Sequence, residues 1–180
     1  MNAAPVVLVL ASGRGERFVA SGGAGSKLQA LLAGKPVLEY TLAAVRASGL
    51  PYHVEDAGHP GMGESIAAGV AATADAGGWL VLPGDLPLVT PASLLAVADA
   101  LRRASLVLPQ YRGMRGHPVG FGRAHGNALQ SLRGAEGAAA IVRASSPLVL
   151  DLDDEGIVTD IDTLADLARA ERLLAQRAAS

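Results

Sequence analysis

The stretch Val6–Leu28, VVLVLASGRGERFVASGGAGSKL, decides how this chain is read. It opens on an apolar run, Val6-Val7-Leu8-Val9-Leu10, bounded by small residues, and such a run reads as a buried strand. A loop with five glycines follows, Gly13, Gly15, Gly22, Gly23 and Gly25, and Arg14, Arg17 and Lys27 are set among them. Glycine lets the backbone pass close to a ligand and turn its N–H groups inward, which makes a concavity for anions. Arginine and lysine add the positive charge that a phosphate needs. A buried strand running into a basic glycine-rich loop is a candidate triphosphate cradle; a surface loop with incidental charges is the plainer alternative.

Two named phosphate motifs fail here. The dinucleotide fingerprint needs a third glycine where Phe18 stands, and Ser26-Lys27-Leu28 departs twice from the Gly-Lys-Ser/Thr of a P-loop. At 180 residues the chain suits one domain spanning 1–180 with a sizeable core. Half of it is hydrophobic and 18% is charged, the balance of a globular protein. A formal net charge of −2 argues against bulk electrostatic binding to nucleic acid or to an anionic membrane, so any anion site is local. The absence of cysteine excludes disulfides, thiol catalysis and cysteine-bound zinc. The first residues carry no basic segment, and the apolar run behind them is too short for a leader core or a membrane span. The expectation is a soluble, cytoplasmic protein.

Along the chain, Pro36 suits a first helical position, and Val37, Leu38, Leu42 and Val45 recur at helical spacing up to Ser48-Gly49. Tyr52–Glu55 is a short strand, 56–63 a loop, and Gly63-Glu64-Ser65 leads into a helix over Ile66–Val70 that runs to about Asp75. Trp79–Leu82 is a strand that ends in Pro83-Gly84-Asp85-Leu86-Pro87. Thr90-Pro91 starts a helix, Leu106–Leu108 is a strand, and Gly116–Phe121 is extended. Short helices are expected around Arg123–Leu132 and Glu136–Ala144. Leu148–Leu150 and Gly156–Thr159 are expected to pair across a turn, and Thr163 with Asp166 caps a last helix. Strands alternating with helices give an α/β protein with a mainly parallel sheet, whose ligands bind beyond the carboxyl ends of the strands. The glycine-rich loop and Pro83–Pro87 should therefore open on one rim.

Asp85, fixed between prolines at that rim, suits Mg²⁺, which takes one or two carboxylates and completes its shell with substrate phosphates. The alternative is an Asp closing a local turn. Asp160 and Asp162 close a strand in this reading; either could be a second ligand, with capping of the last helix the favoured role for Asp162. Asp151–Asp162 roughly matches a calcium-binding EF-hand loop, but its last place holds Asp and its flank reads as strand. The histidines His53, His59, His117 and His125 lack metal-ligand spacing and read as ordinary loop or strand residues; only His117 stands out, beside Arg112 and Arg115.

Leu10-Ala11-Ser12-Gly13-x-Gly15-x-Arg17-Phe18…Lys27 resembles the corresponding segment of MobA-like nucleotidyltransferases. Gly61-Met62-Gly63-Glu64-Ser65-x-x-x-Gly69, Gly84–Val89, Arg115–Val119, Gly134-x-Glu136-Gly137-Ala138 and Asp160–Thr163 resemble the MocA branch, the molybdenum cofactor cytidylyltransferases, in order and rough spacing along nearly the whole chain. The resemblance implies a single-domain, Rossmann-like, three-layer α/β/α fold. It implies transfer of CMP from CTP to the phosphate of molybdopterin, with release of pyrophosphate. Leu10, Ala11, Ser12 and Gly13 would lie against the nucleotide. Arg14, Gly15, Arg17 and Lys27 would hold the triphosphate, with Arg17, Lys27 and Asp85 as the catalytic set. The Gly61–Ser65 loop, with Gly63 and Ser65, would face the base, Asp85 and Asp162 would carry Mg²⁺, and Arg115, His117 and Pro118 would lie on the acceptor side. A recipient molybdoenzyme is an implied partner. The alternatives are a GTP-using or other small-phosphate transferase, and a non-catalytic nucleotide-binding or cofactor-delivery protein. The chain departs from the pattern at Val19, where glycine is usual, at Ser12, which bears on CTP against GTP, and in the added Ser21–Gly25. The segment before Gly61 is short enough to imply a smaller sheet.

Overall fold

The computed structural model describes residues 3–179. In chain order it holds strands β1 (Val6–Leu10), β2 (Leu31–Leu32), β3 (Lys35–Pro36), β4 (Tyr52–Glu55), β5 (Gly78–Pro83), β6 (Leu106–Tyr111), β7 (Met114–Arg115), β8 (Val119–Gly122) and β9 (Leu148–Asp151). The helices are α1 (Glu16–Ala20), α2 (Val37–Ser48), α3 (Met62–Ala72), α4 (Pro91–Ala100), α5 (Gly126–Gln130), α6 (Ala139–Ala144) and α7 (Leu164–Ala178). One sheet runs β4-β1-β5-β8-β6, with β7 and β9 both paired to β6; β2 and β3 form a small hairpin of their own. Strands β4, β1, β5, β6 and β9 point one way, and β8 and β7 run against them. The sheet is thus mainly parallel, as the alternation of strands and helices implies.

Burial on both faces explains the unbroken apolar run of β1. Val7 and Val9 pack with Leu80, Leu82 and Val107 beneath α2 and α4. Leu8 faces the other way, into Ile66 and Val70 of α3 and Leu129 of α5. The result is three layers, α/β/α. A third cluster, Phe18, Leu32, Val37, Leu88, Ile161 and Ala170, joins α1 and α7 at one end of the sheet. Register then sets the rim: Leu10 lies opposite Glu55 on one side and Pro83 on the other. The loops after β1, β4 and β5 consequently open together.

Several local expectations need correcting. Leu148–Leu150 does not pair with Gly156–Thr159; β9 lies parallel to β6, and Glu155–Val158 is a short 3-10 turn. The buried Asp154 accounts for this. Its carboxylate accepts from Gly156 N, Thr90 N, the Thr90 and Ser93 hydroxyls and Arg177, and so pulls the segment toward α4 and α7. The same contacts and the β9 flank exclude an EF-hand. Pro36 precedes its helix rather than opening it, because it pairs with Leu31 in the β2–β3 hairpin. The helix expected over Arg123–Leu132 is a 3-10 turn at Arg123–His125 followed by α5, and α6 begins only at Ala139. Among the described residues no helix is long and apolar enough to cross a membrane.

Candidate active site

The glycine-rich loop is not all loop. Gly15 stands at φ 63°, a left-handed conformation that favours glycine, and turns the chain into α1. Phe18 is 1% exposed and anchors that short helix in the third cluster, and Gly23 returns across its ring. The excursion ends by delivering Lys27 back beside Gly15.

Lys27 Nζ donates to Asp85 Oδ2 at 2.6 Å and to Asp162 Oδ1 at 2.8 Å, and Arg17 Nη1 lies 2.9 Å from Asp162 Oδ2. Burial disfavours the ammonium's charge, but the two carboxylates outweigh it and hold the Lys27 pKa above the ordinary lysine value. The Arg17 side chain is 80% exposed, so its pair with Asp162 adds little stability and leaves the guanidinium free to turn to a ligand.

Backbone contacts explain how the acids come to share one cation. Gly84 N donates to Leu10 O at 2.9 Å, and Gly84 O accepts from the Thr41 hydroxyl at 2.8 Å, which fixes the turn that presents Asp85. Ile161 N donates to Asp85 O at 3.0 Å and sets Asp162 alongside. Asp162 does not cap α7. Thr163 does, in a reciprocal capping box with Asp166, and this leaves the Asp162 carboxylate free for Lys27 and Arg17. Residues 159–163 are not strand, so Asp160 and Asp162 close a turn instead, and Asp160 is exposed. Asp85 Oδ1 is buried with no hydrogen-bond partner among the described residues.

These groups line one end of a cavity of about 430 Å³, a size that suits a small-molecule ligand. Of the residues singled out from sequence, Leu10, Ser12, Gly13, Arg14, Gly15, Arg17, Lys27, Ser65, Asp85 and Asp162 line it. Ala11, Gly63, Arg115, His117 and Pro118 do not. Ala11 N is engaged with Glu55 O at 2.9 Å. Gly63 is buried against the backbone of Arg133 and donates to Gly134 O at 2.8 Å, so it seats the 133–137 segment on α3 rather than facing a ligand. Arg115 is exposed on β7, and Pro118 is buried. His117 lies behind Asp85: burial pushes its imidazole pKa down against the Asp85 charge, and its Nδ1 is buried without a partner among the described residues.

The far wall is formed by His59, Pro60, Gly61, Met62 and Ala135; Gly61 and Met62 belong to the loop the resemblance sets against the base, whereas His59, Pro60 and Ala135 carry no role in the sequence reading. His53 and His59 both bind the buried Glu55, two and four residues away, a spacing that points to contact only with Tyr52–Glu55 as an edge strand. The whole arrangement is one of positioned charge: two cations and two carboxylates at one end, a mostly apolar wall at the other.

Residues 43–149 match the model of the MobA-like NTP transferase domain. No curated protein matches the chain. Among solved structures, Rv0371c from Mycobacterium tuberculosis superposes with a TM-score of 0.77 at 22% identity, covering 96% of this chain and 99% of that one. The same protein is known in complex with manganese. A nucleotidyl transferase from Methanothermobacter gives 0.78 at 20% identity, covering 97% and 99%. Molybdopterin-guanine dinucleotide biosynthesis protein A from Archaeoglobus fulgidus gives 0.68 at 17%, covering 94% and 98%. Identities this low speak for a shared fold alone, whereas the domain model matches well over half of the sequence. The chain belongs to the MobA-like NTP transferase domain family.

Proposed function

We propose that this nucleotidyltransferase is a molybdenum cofactor cytidylyltransferase of the MocA type, acting as one domain over residues 1–180. It would transfer CMP from CTP to the phosphate of molybdopterin. The observation that carries the reading is the meeting of Lys27, Asp85 and Asp162 at the mouth of the glycine-rich loop. A terminal phosphate oxygen of the acceptor attacks the α-phosphorus. The bond from that phosphorus to the bridging oxygen breaks, and pyrophosphate leaves with the electron pair. The acceptor is already an anion, so no strong general base is needed. What the reaction asks of the protein is alignment and positive charge. Arg17 and Lys27 supply the charge, and the N–H groups of Gly13 to Gly15 supply donors.

The donor set fits Mg²⁺. Two carboxylates converge, and the buried Asp85 Oδ1 has a lone pair with no protein donor among the described residues. Hard oxygen ligands of this number leave room for phosphates. When bound, the cation would offset charge on the phosphate oxygens. The manganese complex of Rv0371c supports a divalent ion in this fold.

Incubating the purified protein with Mg²⁺, molybdopterin and either CTP or GTP tests the reading. Pyrophosphate release with CTP, and a product heavier than molybdopterin by one CMP unit, is the expected result. Release with GTP alone would move the assignment to a guanylyltransferase. Nucleotide binding with no release would make the protein a carrier.

A further inference from the structure

The far wall of the cavity carries a side-chain cluster that the transfer chemistry leaves unused. Glu55 ends the edge strand β4 and is 7% exposed. Its backbone oxygen accepts from Ala11 N at 2.9 Å and from the Ser12 hydroxyl at 3.1 Å, so it is tied to the nucleotide loop. Its carboxylate takes Ala57 N, His53 Nε2 at 3.3 Å and His59 Nε2 at 3.1 Å. Burial works against the Glu55 charge, but the Ala57 N–H and the two imidazoles outweigh it and hold the carboxyl below its ordinary range. Of these groups, His59 lines the cavity, whose walls also include Ser12, Pro60, Met62 and Ser65.

A carboxylate accepts only. In the neutral imidazole, the nitrogen facing Glu55 therefore carries the proton. That leaves Nδ1 of His59 as a hydrogen-bond acceptor on a ring whose plane Glu55 fixes. The same cavity is lined by the apolar Leu10, Pro60 and Met62, which suit the face of a planar base. Resting on the nucleotidyltransferase reading above, we infer that His59 is a specificity-determining residue that accepts from the exocyclic amine of the nucleobase, with Glu55 as its positioning residue. A base with an amine at this place is held; one with a carbonyl sets acceptor against acceptor. Cytosine and uracil differ at one such position, amine against carbonyl, and make the cleanest pair to compare.

Calorimetric titration of the intact protein with CTP, UTP and pyrophosphate, each with Mg²⁺, tests the inference. Wild type should prefer CTP to UTP by about tenfold or more, within the range a single hydrogen-bonding site supplies. In His59→Ala the preference should fall to within about twofold, through weaker CTP binding, with pyrophosphate affinity unchanged. Glu55→Gln should lower the same ratio by a smaller factor and also spare pyrophosphate, a pattern that a general loss of structure would not give. If wild type binds neither triphosphate, the nucleotidyltransferase reading falls and takes this inference with it. If wild type prefers CTP and His59→Ala keeps the full ratio, only the role of His59 is overturned.

Discussion

The two ends of the cavity are held by different physics. At the Lys27 end, the proposed phosphate end, the ammonium is joined to side chains 58 and 135 positions away, through charge-assisted hydrogen bonds of 2.6 and 2.8 Å. At the far end a main-chain group enters most of the bonds: Gly63 N on Gly134 O, the Glu64 carboxylate on Gly134 N, and the buried Glu55 gathering a backbone N–H beside two imidazoles. An end built of charges on a finished scaffold can lose its chemistry and keep its fold. An end built of close backbone contacts loses shape first.

The largest effect is expected where the phosphate end depends on packing after all. Phe18 is the one buried residue of α1 and sits in the cluster with Leu32, Val37 and Leu88. Phe18→Ala should cost about 3–5 kcal/mol in a urea unfolding titration. It should also lower turnover, because Gly15 and Arg17 lose their anchor. A loss under about 1 kcal/mol would mean that α1 is not part of the core.

Asp85→Asn tests the opposite behaviour at the same end. Turnover should fall by about 10²–10³-fold, the scale on which a preorganised charge acts in a transfer reaction. The far-UV circular dichroism should be unchanged and the melting temperature should move by no more than about 4 °C, since Lys27 keeps Asp162 as a partner. A large drop in melting temperature would make Asp85 a structural residue instead.

The contrast between the ends also explains what the sequence reveals. The phosphate end is written in residue types: a basic glycine loop, Asp85 between prolines, and Asp162 before a capped helix. Such chemistry is readable without coordinates. The sheet is equally readable, because β1 and β5 are buried on both faces and show it as unbroken apolar runs. What stayed hidden depends on approach in space. Gly63 looks like a ligand-facing loop residue until the Arg133 backbone is seen against it, and the supposed partner of Leu148–Leu150 is drawn off by Asp154 toward Thr90, Ser93 and Arg177. Phe18 in a glycine loop gave no periodic signal, since α1 spans only five residues. His59 has no motif at all; its partner Glu55 is recognisable only from burial.

At the far end, Gly63→Ala should act through shape. A Cβ there would lie 2.6 Å from the Arg133 carbonyl carbon and 2.7 Å from its nitrogen, so backbone has to move. The cost expected from such overpacking is about 1–3 kcal/mol, offset by up to about 1 kcal/mol because alanine is the better helix former. Displacing the 133–137 segment moves Ala135 in the cavity wall, so the KM for nucleotide should rise while kcat changes little. A fall in kcat at constant KM would show instead that this wall acts on the transfer step.

The smallest effect separates the ends by acid. The folded-state pKa of Glu55 lies below its ordinary 4.5. Ionised Glu55 therefore contributes stability that is fully present above pH 4.5 and is lost as pH falls through the lower folded value. Melting temperatures of wild type and Glu55→Gln, followed from about pH 6 to about pH 3, should differ most at the upper limit and converge in acid over this window. Were the two melting curves to stay parallel down to pH 3, the contacts of Glu55 would contribute nothing that depends on its charge, and the far wall would rest on packing alone.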